Sequence, residues 1–480
     1  MYNARVHLMR QLTRMVDPVS DVARSRRLIF IVTSLGAFMG SLDLSIVNVA
    51  FPALEHSFAG DSTAALAWVI TAYSITFGSL LVIAGRTADR LGSRRIFNVG
   101  LGIFCAGSTL CAVSPSVPLL IAGRVVQGAG AAAMLPASLS LLLAAYPSER
   151  RTQIVSLWGG IGALAVATGP TLGATLVTIG GWRWVFLVNV PVGAIGFLMG
   201  RRVLRESERN PHHPAPDYLG ALLVCASLAS LVLAITEGPS WGWSSGAVIG
   251  TLAASVATGA LFLFRCARHP EPVLDLALFR ARTFSVATVA TLLYAVGFFG
   301  MLLGNILFLT SVWHYQIISA GLAVTPGPLV VASVAGPAGR LAARVGFRRV
   351  LLVGTSIFAT GLLMFAVRVG ATPEYVTRWL PATLVIGLGI GLTFPVLGAS
   401  AVASLKLERY AVGSAVNQTA RQIGGALGIA LLVVLLGTPH STLDALRSFH
   451  HLWFFCASMA IVPGLSCLFL GRGKTQPVAS

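Results

Sequence analysis

An aspartate sits in the middle of an apolar run near the start of this chain. The run is Ser41-Leu42-Asp43-Leu44-Ser45-Ile46-Val47-Asn48-Val49-Ala50-Phe51-Pro52. A charge near the centre of a bilayer costs about 2.5–3.5 kcal/mol on insertion scales, so such residues mark proton relays, ion paths or paired charges. Arg124 lies in a second apolar run. At 1.5 Å of rise per residue, Asp43 is about 13 Å and Arg124 about 10 Å from the same face of the layer. Burial favours the neutral acid, whereas a neighbouring guanidinium favours the carboxylate. A pair whose separation changes can therefore take up and release a proton. Held static, the same pair only locks two helices together.

Other polar side chains fall at membrane depth. Asn48 shares a helix with Asp43, Gln127 follows Arg124 by one helical turn, and Asn305 stands in a later run. Asn417, Gln418, Arg421 and Gln422 cluster on one further helix, where residues three or four apart share a face. Arg421 has no acidic partner on that helix. Asn48, Gln127, Asn305, Asn417, Gln418 and Arg421 are candidates to line a substrate cavity, with helix–helix hydrogen bonding as the alternative. The loop Gly85-Arg86-Thr87-Ala88-Asp89-Arg90-Leu91-Gly92-Ser93-Arg94-Arg95 combines a turn at Gly92 with a carboxylate among arginines. Contacts of Asp89, Arg90 and Arg94 with other spans would close an inner gate. Gly169, Pro170 and Gly173 bring a kink and close approach to one helix, which suits a hinge or a seal.

The elements that position these groups follow from composition. The chain has 480 residues, 55% of them hydrophobic and 10% charged. Soluble domains carry about 25% charged residues. Low charge and repeated apolar runs of near 20 residues define an all-α polytopic membrane protein. Fourteen spans are expected, the first over 28–50. Residues 1–27 read as a basic cytoplasmic segment, with no convincing cleavage site after it. A first six-helix bundle covers 28–200, a charged Pro-rich linker 201–217, and two inserted helices 218–264. A cytoplasmic loop at 265–283, a second six-helix bundle at 284–470 and a tail at 471–480 complete the order.

The net charge of +18 comes almost entirely from arginine in short loops. Most of it falls on one side if both termini are cytoplasmic, which is the positive-inside distribution. No basic face with stacking aromatics appears, so nucleic acid is excluded as a partner. The six cysteines have no metal-ligand spacing. No phosphate-binding G-x-x-x-x-G-K-[ST] motif exists, so no ATP site and no cofactor are expected. His212 and His213 in the linker make at most a weak metal pair.

The loop at 85–95 returns as Gly339-Arg340-Leu341-Ala342-Ala343-Arg344-Val345-Gly346-Phe347-Arg348-Arg349. Gly, Arg, Ala, Arg, Gly, Arg and Arg recur at matching places, whereas Ala343 replaces Asp89. Such a repeat predicts two related halves with a path at their interface.

These stretches, with Arg124-Val125-Val126-Gln127-Gly128-Ala129-Gly130 and Gly181-Trp182-Arg183-Trp184-Val185-Phe186-Leu187-Val188-Asn189-Val190-Pro191, resemble signature motifs of the major facilitator superfamily. The last resembles its fourteen-helix drug:proton antiporter branch in particular. The resemblance implies two pseudo-symmetric six-helix bundles with two helices inserted between them. It also implies proton coupling at Asp43 and Arg124, conformational switching at the Asp89 loop, and an antiport role for Gly169–Gly173. Thr87, Ala165 and Ala174 depart from the usual motif residues. The expected function is export of amphipathic small molecules through the cytoplasmic membrane by one chain, driven by protons. Export of an endogenous lipid or metabolite, an uptake symporter and a membrane sensor are the alternatives. Asp43 reads as the sole carboxylate at membrane depth beside two arginines, which favours neutral, zwitterionic or weakly anionic cargo over dications.

Overall fold

A computed structural model describes residues 2–206, 215–406 and 409–469. His212, His213 and the tail at 471–480 lie outside the described residues. Fourteen stretches among those described are long and apolar enough to cross a membrane. The first half comprises α1 (Tyr2–Ser57), α2 (Thr63–Leu91), α3 (Ser93–Ala112), α4 (Val117–Ala145), α5 (Ser148–Gly180), α6 (Arg183–Leu187) and α7 (Asn189–Val203). The inserted pair is α8 (Tyr218–Trp241) and α9 (Gly246–Arg268). The second half comprises α10 (Arg282–Ser311), α11 (Ile317–Val324), α12 (Pro326–Val345), α13 (Phe347–Arg368), α14 (Leu380–Val402), α15 (Tyr410–Leu436) and α16 (Thr442–Ser466). The pairs α6–α7 and α11–α12 each form one span.

Helices are the only open-chain answer in hydrocarbon, because every backbone group must be satisfied within the segment. Their ends carry ordinary caps. Ser62 Oγ accepts from the Ala65 amide, and Ser245 Oγ from Val248. Gly92 ends α2 at φ 103°, and Gly346 ends α12 at φ 91°, each the single residue before the next helix. That backbone region is strained for residues with a Cβ. The two copies of the sequence repeat thus make the same turn.

Helices α1 to α7 pack mainly among themselves, as do α10 to α16. The halves meet where α5 touches α11 and α12, where α1 touches α10, and where α2 touches α15. The inserted helix α8 packs on both α2 and α15.

Three expectations need correction. Helix α1 continues to Ser57, seven residues past the expected end at 50, so depth counted from that end understates how far in Asp43 lies. The stretch 201–217 is not uniformly a solvated linker. Its last residue, Asp217, is fully buried, caps α8 through the Gly220 amide and pairs with Arg265. Finally, α9 runs on to Arg268, four residues past the expected end at 264, and the loop after it carries a 3-10 turn over Leu276–Arg280.

Candidate functional site

Asp43 and Arg124 meet. Arg124 Nη1 donates to Asp43 Oδ2 at 2.6 Å, and both side chains are buried. Gln127 Nε2 donates to the other carboxylate oxygen at 2.7 Å, while Gln127 Oε1 accepts from Arg124 Nη1 at 2.6 Å. Arg124 Nε donates to the Val69 carbonyl at 2.7 Å, and its guanidinium stacks 4.2 Å from the Tyr73 ring centre. Gln127 Nε2 and Asn189 Nδ2 both reach Ser108 Oγ at 3.1 Å. Three spans, α1, α2 and α4, therefore hold the charged pair directly; α3 reaches it through Ser108 on Gln127, and α7 through Asn189 on Ser108. Gly107 makes this possible on α3, since a Cβ there would lie 2.8 Å from the Gln127 Cα. Both carboxylate oxygens have a partner, which is the condition under which a buried ion pair persists. Tyr73, Ser108 and Asn189 were not singled out from sequence; Asn189 belongs to a motif whose chemistry the sequence did not disclose.

A cavity of about 810 Å³ lies between the halves, lined by α1, α2, α4 and α5 on one side and by α10, α12, α14 and α15 on the other. It reaches Gly85, Arg86, Asp89 and Ala411 at the end of the bundle that carries the arginine-rich loops. At the opposite end α5 closes against the second half. Thr171 and Thr325 share a hydrogen bond of 2.7 Å, and Gly321 packs against Ala174 and the Pro170 carbonyl. Gly169 and Gly173 turn the other way and admit Ser45 and Ile46 of α1. Ser45 Oγ donates to the Val166 carbonyl at 3.1 Å. The structure is thus open towards the arginine-rich end and closed at the other.

Of the cavity candidates, Asn305, Gln418 and Arg421 line the wall. Three do not. Asn48 is buried and donates to the Leu44 carbonyl of its own helix at 2.8 Å. Gln127 belongs to the ion-pair network behind the wall. Asn417 donates to Thr291 Oγ1 at 3.0 Å, a bond between α15 and α10. Gln422 is buried where α15 meets Gly78 of α2.

The loop at 85–95 is spread over several contacts. Asp89 is exposed on the cavity wall, and Arg90 lies in the last turn of α2. Arg94 does not contact the second half; its amide donates to Glu206 Oε1 at 3.0 Å and Nη2 to the Arg201 carbonyl at 2.7 Å. Arg86 Nη1 donates to the Pro272 carbonyl at 2.6 Å, and its Nε lies 3.4 Å from Glu271. In this state Arg86 and Arg94 bind segments outside the two bundles' interface.

Helical halves around a wide cavity, with a carboxylate–guanidinium pair sealed beside it, define a polytopic transporter. The model of the Major Facilitator Superfamily matches residues 33–429, and the chain belongs to that superfamily. It is a transporter and not an enzyme. Among its relatives, Multidrug resistance protein Stp of Mycobacterium tuberculosis (strain CDC 1551 / Oshkosh) is 35% identical over 85% of this chain and 75% of that protein. The Methylenomycin A resistance protein of Streptomyces coelicolor is 34% identical over 85% of each. The Tetracenomycin C resistance and export protein of Streptomyces glaucescens is 30% identical over 85% of this chain and 75% of its own length. An auto-inhibited peptide transporter of the POT family superposes with a TM-score of 0.68 at 16% identity, covering 93% of this chain and 97% of that one. A bacterial homologue of the human drug peptide transporters PepT1 and PepT2 gives 0.65, also at 16% identity, over 93% and 98%. These two structures share the fold.

Proposed function

We propose that the protein is a proton-coupled exporter of amphipathic small molecules that works as a single chain by alternating access. The observation that carries this is the sealed Asp43–Arg124–Gln127 network directly behind the wall of a wide, mostly apolar cavity. A neighbouring guanidinium favours the ionised carboxylate, and loss of that contact favours the neutral acid. Asp43 lies on α1, whose neighbours Ser41, Leu44 and Ser45 face the cavity. Reorientation of α1 would therefore change the surroundings of both the carboxylate and the cargo. The relatives named for multidrug resistance and antibiotic export support export as the direction. The positive-inside distribution supports the cytoplasmic membrane with both termini in the cytoplasm, so the open end would face the cytoplasm. Energy would come from the proton gradient, with no nucleotide or metal.

The test is transport in proteoliposomes with a compound panel and an imposed pH gradient. Cargo should move against the proton flux, and Asp43→Asn should abolish gradient-driven transport while the protein still inserts. Full gradient-driven transport by that variant would falsify the assignment. Movement of cargo with the protons would turn the reading to symport, and transport of lipid alone would change the cargo class.

A further inference from the structure

We propose that Arg421 is the anion-recognition residue of the central cavity. The cargo of the exporter would then be an amphipathic organic anion whose carboxylate docks on that guanidinium. This rests on the transport reading above and deepens it.

Arg421 lies near the middle of α15 and lines the cavity. It makes no hydrogen bond or ion pair with any described residue, and its Nε is buried without a partner. Its guanidinium stands 5.6 Å from the Phe394 ring centre. Contrast Arg124, whose donors are held by a carboxylate, an amide and a carbonyl. A guanidinium left without partners at membrane depth is expensive, and such residues mark substrate pathways.

Among the described cavity-lining residues, Arg421 shares charge with two others, Arg86 and Asp89. Both of those belong to the arginine-rich end of α2. Arg86 is held by Glu271 and the Pro272 carbonyl, and Asp89 is exposed. Asp43 does not line the cavity; it is fully buried and committed to Arg124 and Gln127. The deep part of the cavity is therefore net positive.

The rest of its wall says what the anion carries. Phe298 and Phe394 stand edge to face at 5.0 Å, and Trp158 lines the α5 side. Gln418, one turn before Arg421, and Asn305 across the cavity on α10 add amide donors. Asn305 Oδ1 is occupied by Trp453 Nε1, which leaves its amino group as the free end. Arg421 and Gln418 put donors on one stretch of α15, and the Phe394 and Phe298 rings stand beside it. A flat apolar body bearing a carboxylate matches both.

The experiment is isothermal titration of the purified full-length protein in detergent at neutral pH, without any gradient. The probes are 2-naphthoate, 2-naphthamide and 2-naphthylmethylammonium, which differ in charge and little in shape. Naphthoate should bind at least about tenfold more tightly than the amide, as charge-assisted hydrogen bonds to guanidinium allow. The ammonium should bind weakest. Arg421→Gln should bring naphthoate down to the level of naphthamide and leave naphthamide within about twofold, since the apolar wall is intact. Arg421→Lys should keep part of the preference, because the charge remains and the fork is lost. An arginine with a packing role alone would, on replacement, weaken all three probes alike or none. Wild-type protein that binds acid and amide equally, or that binds no naphthoate, overturns the proposal without any variant. So does an Arg421→Gln protein that keeps the full preference. Proton-driven efflux without anion preference would sink this inference and leave the exporter reading intact. Anion preference without gradient-driven efflux would do the reverse.

Discussion

Ala174 of α5 and Gly321 of α11 face each other across the boundary between the two halves, so closely that a Cβ on residue 321 would collide with the Ala174 methyl. Ala174 is one of the positions where the antiporter motif usually has glycine. The methyl it adds on α5 is accommodated by the missing side chain on α11, and the seal at that end survives.

That complementarity can be broken. Gly321→Leu should hold α5 and α11 apart, since overpacking costs about 1–3 kcal/mol. The state open towards the arginine-rich end should lose population by about tenfold for each 1.4 kcal/mol. Thiol labelling from that side of a Ser414→Cys probe, in a background free of other cysteines, measures it. Unchanged labelling would show that the seal is not set by this contact.

The Asp43–Arg124 pair can be tested as a lock against a coupling device. Arg124→Gln alone leaves a buried carboxylate without its cation and should lower stability by about 3–5 kcal/mol. Asp43→Asn together with Arg124→Gln should recover most of that, because no uncompensated charge remains. Thermal unfolding in detergent reads both. A stable double variant without gradient-driven transport identifies the pair as coupling machinery. A stable double variant with full transport makes it a lock.

Gly92 and Gly346 share their backbone conformation but not their surroundings. A Cβ on residue 92 would strike the Glu206 carboxylate, whereas nothing lies within 4 Å of the same position on residue 346. Gly346→Ala should cost the positive-φ strain alone, about 1–3 kcal/mol. Gly92→Ala should cost more and should also release Glu206 from the Arg94 amide. A larger drop in unfolding temperature for Gly92→Ala is expected; equal drops would mean that Glu206 moves aside freely.

Asp217 ties the start of α8 to the end of α9. Asp217→Ala removes the cap of α8 and should cost about 1–2 kcal/mol. Asp217→Asn keeps a capping oxygen and should cost less. Faster proteolysis between α7 and α8 in the alanine variant would report the loosening, and identical digestion patterns would count against it.

The spans were legible because each is a window of some twenty apolar residues, a signal that local sequence carries alone. The meeting of Asp43 with Arg124 was legible because two charges at comparable depth in hydrocarbon have few other places to go. Lateral direction was harder to read. Asn48 follows Asp43 by five residues, which at 100° per residue turns it about 140° away. It therefore faces neither the network nor the cavity. Asn417 and Gln418 differ by one residue, and that one step separates a bond to Thr291 from the cavity wall. Helix rotation decides such cases, and it is set by packing against neighbours that sequence order does not reveal. Asp217 was misread for a related reason. Its neighbours are polar and proline-rich, and its partner Arg265 lies 48 residues on, in the last turn of α9.

The wall between Asp43 and the cavity has a kinetic meaning. Asp43 is buried and does not line the cavity, so a molecule seated there and a proton on the carboxylate would not compete for one seat. What one tells the other must travel as a shift of α1 in register or tilt. A molecule with no basic group can then be driven as readily as one that has it, and acidification should change the maximal rate more than the concentration at which that rate is half reached.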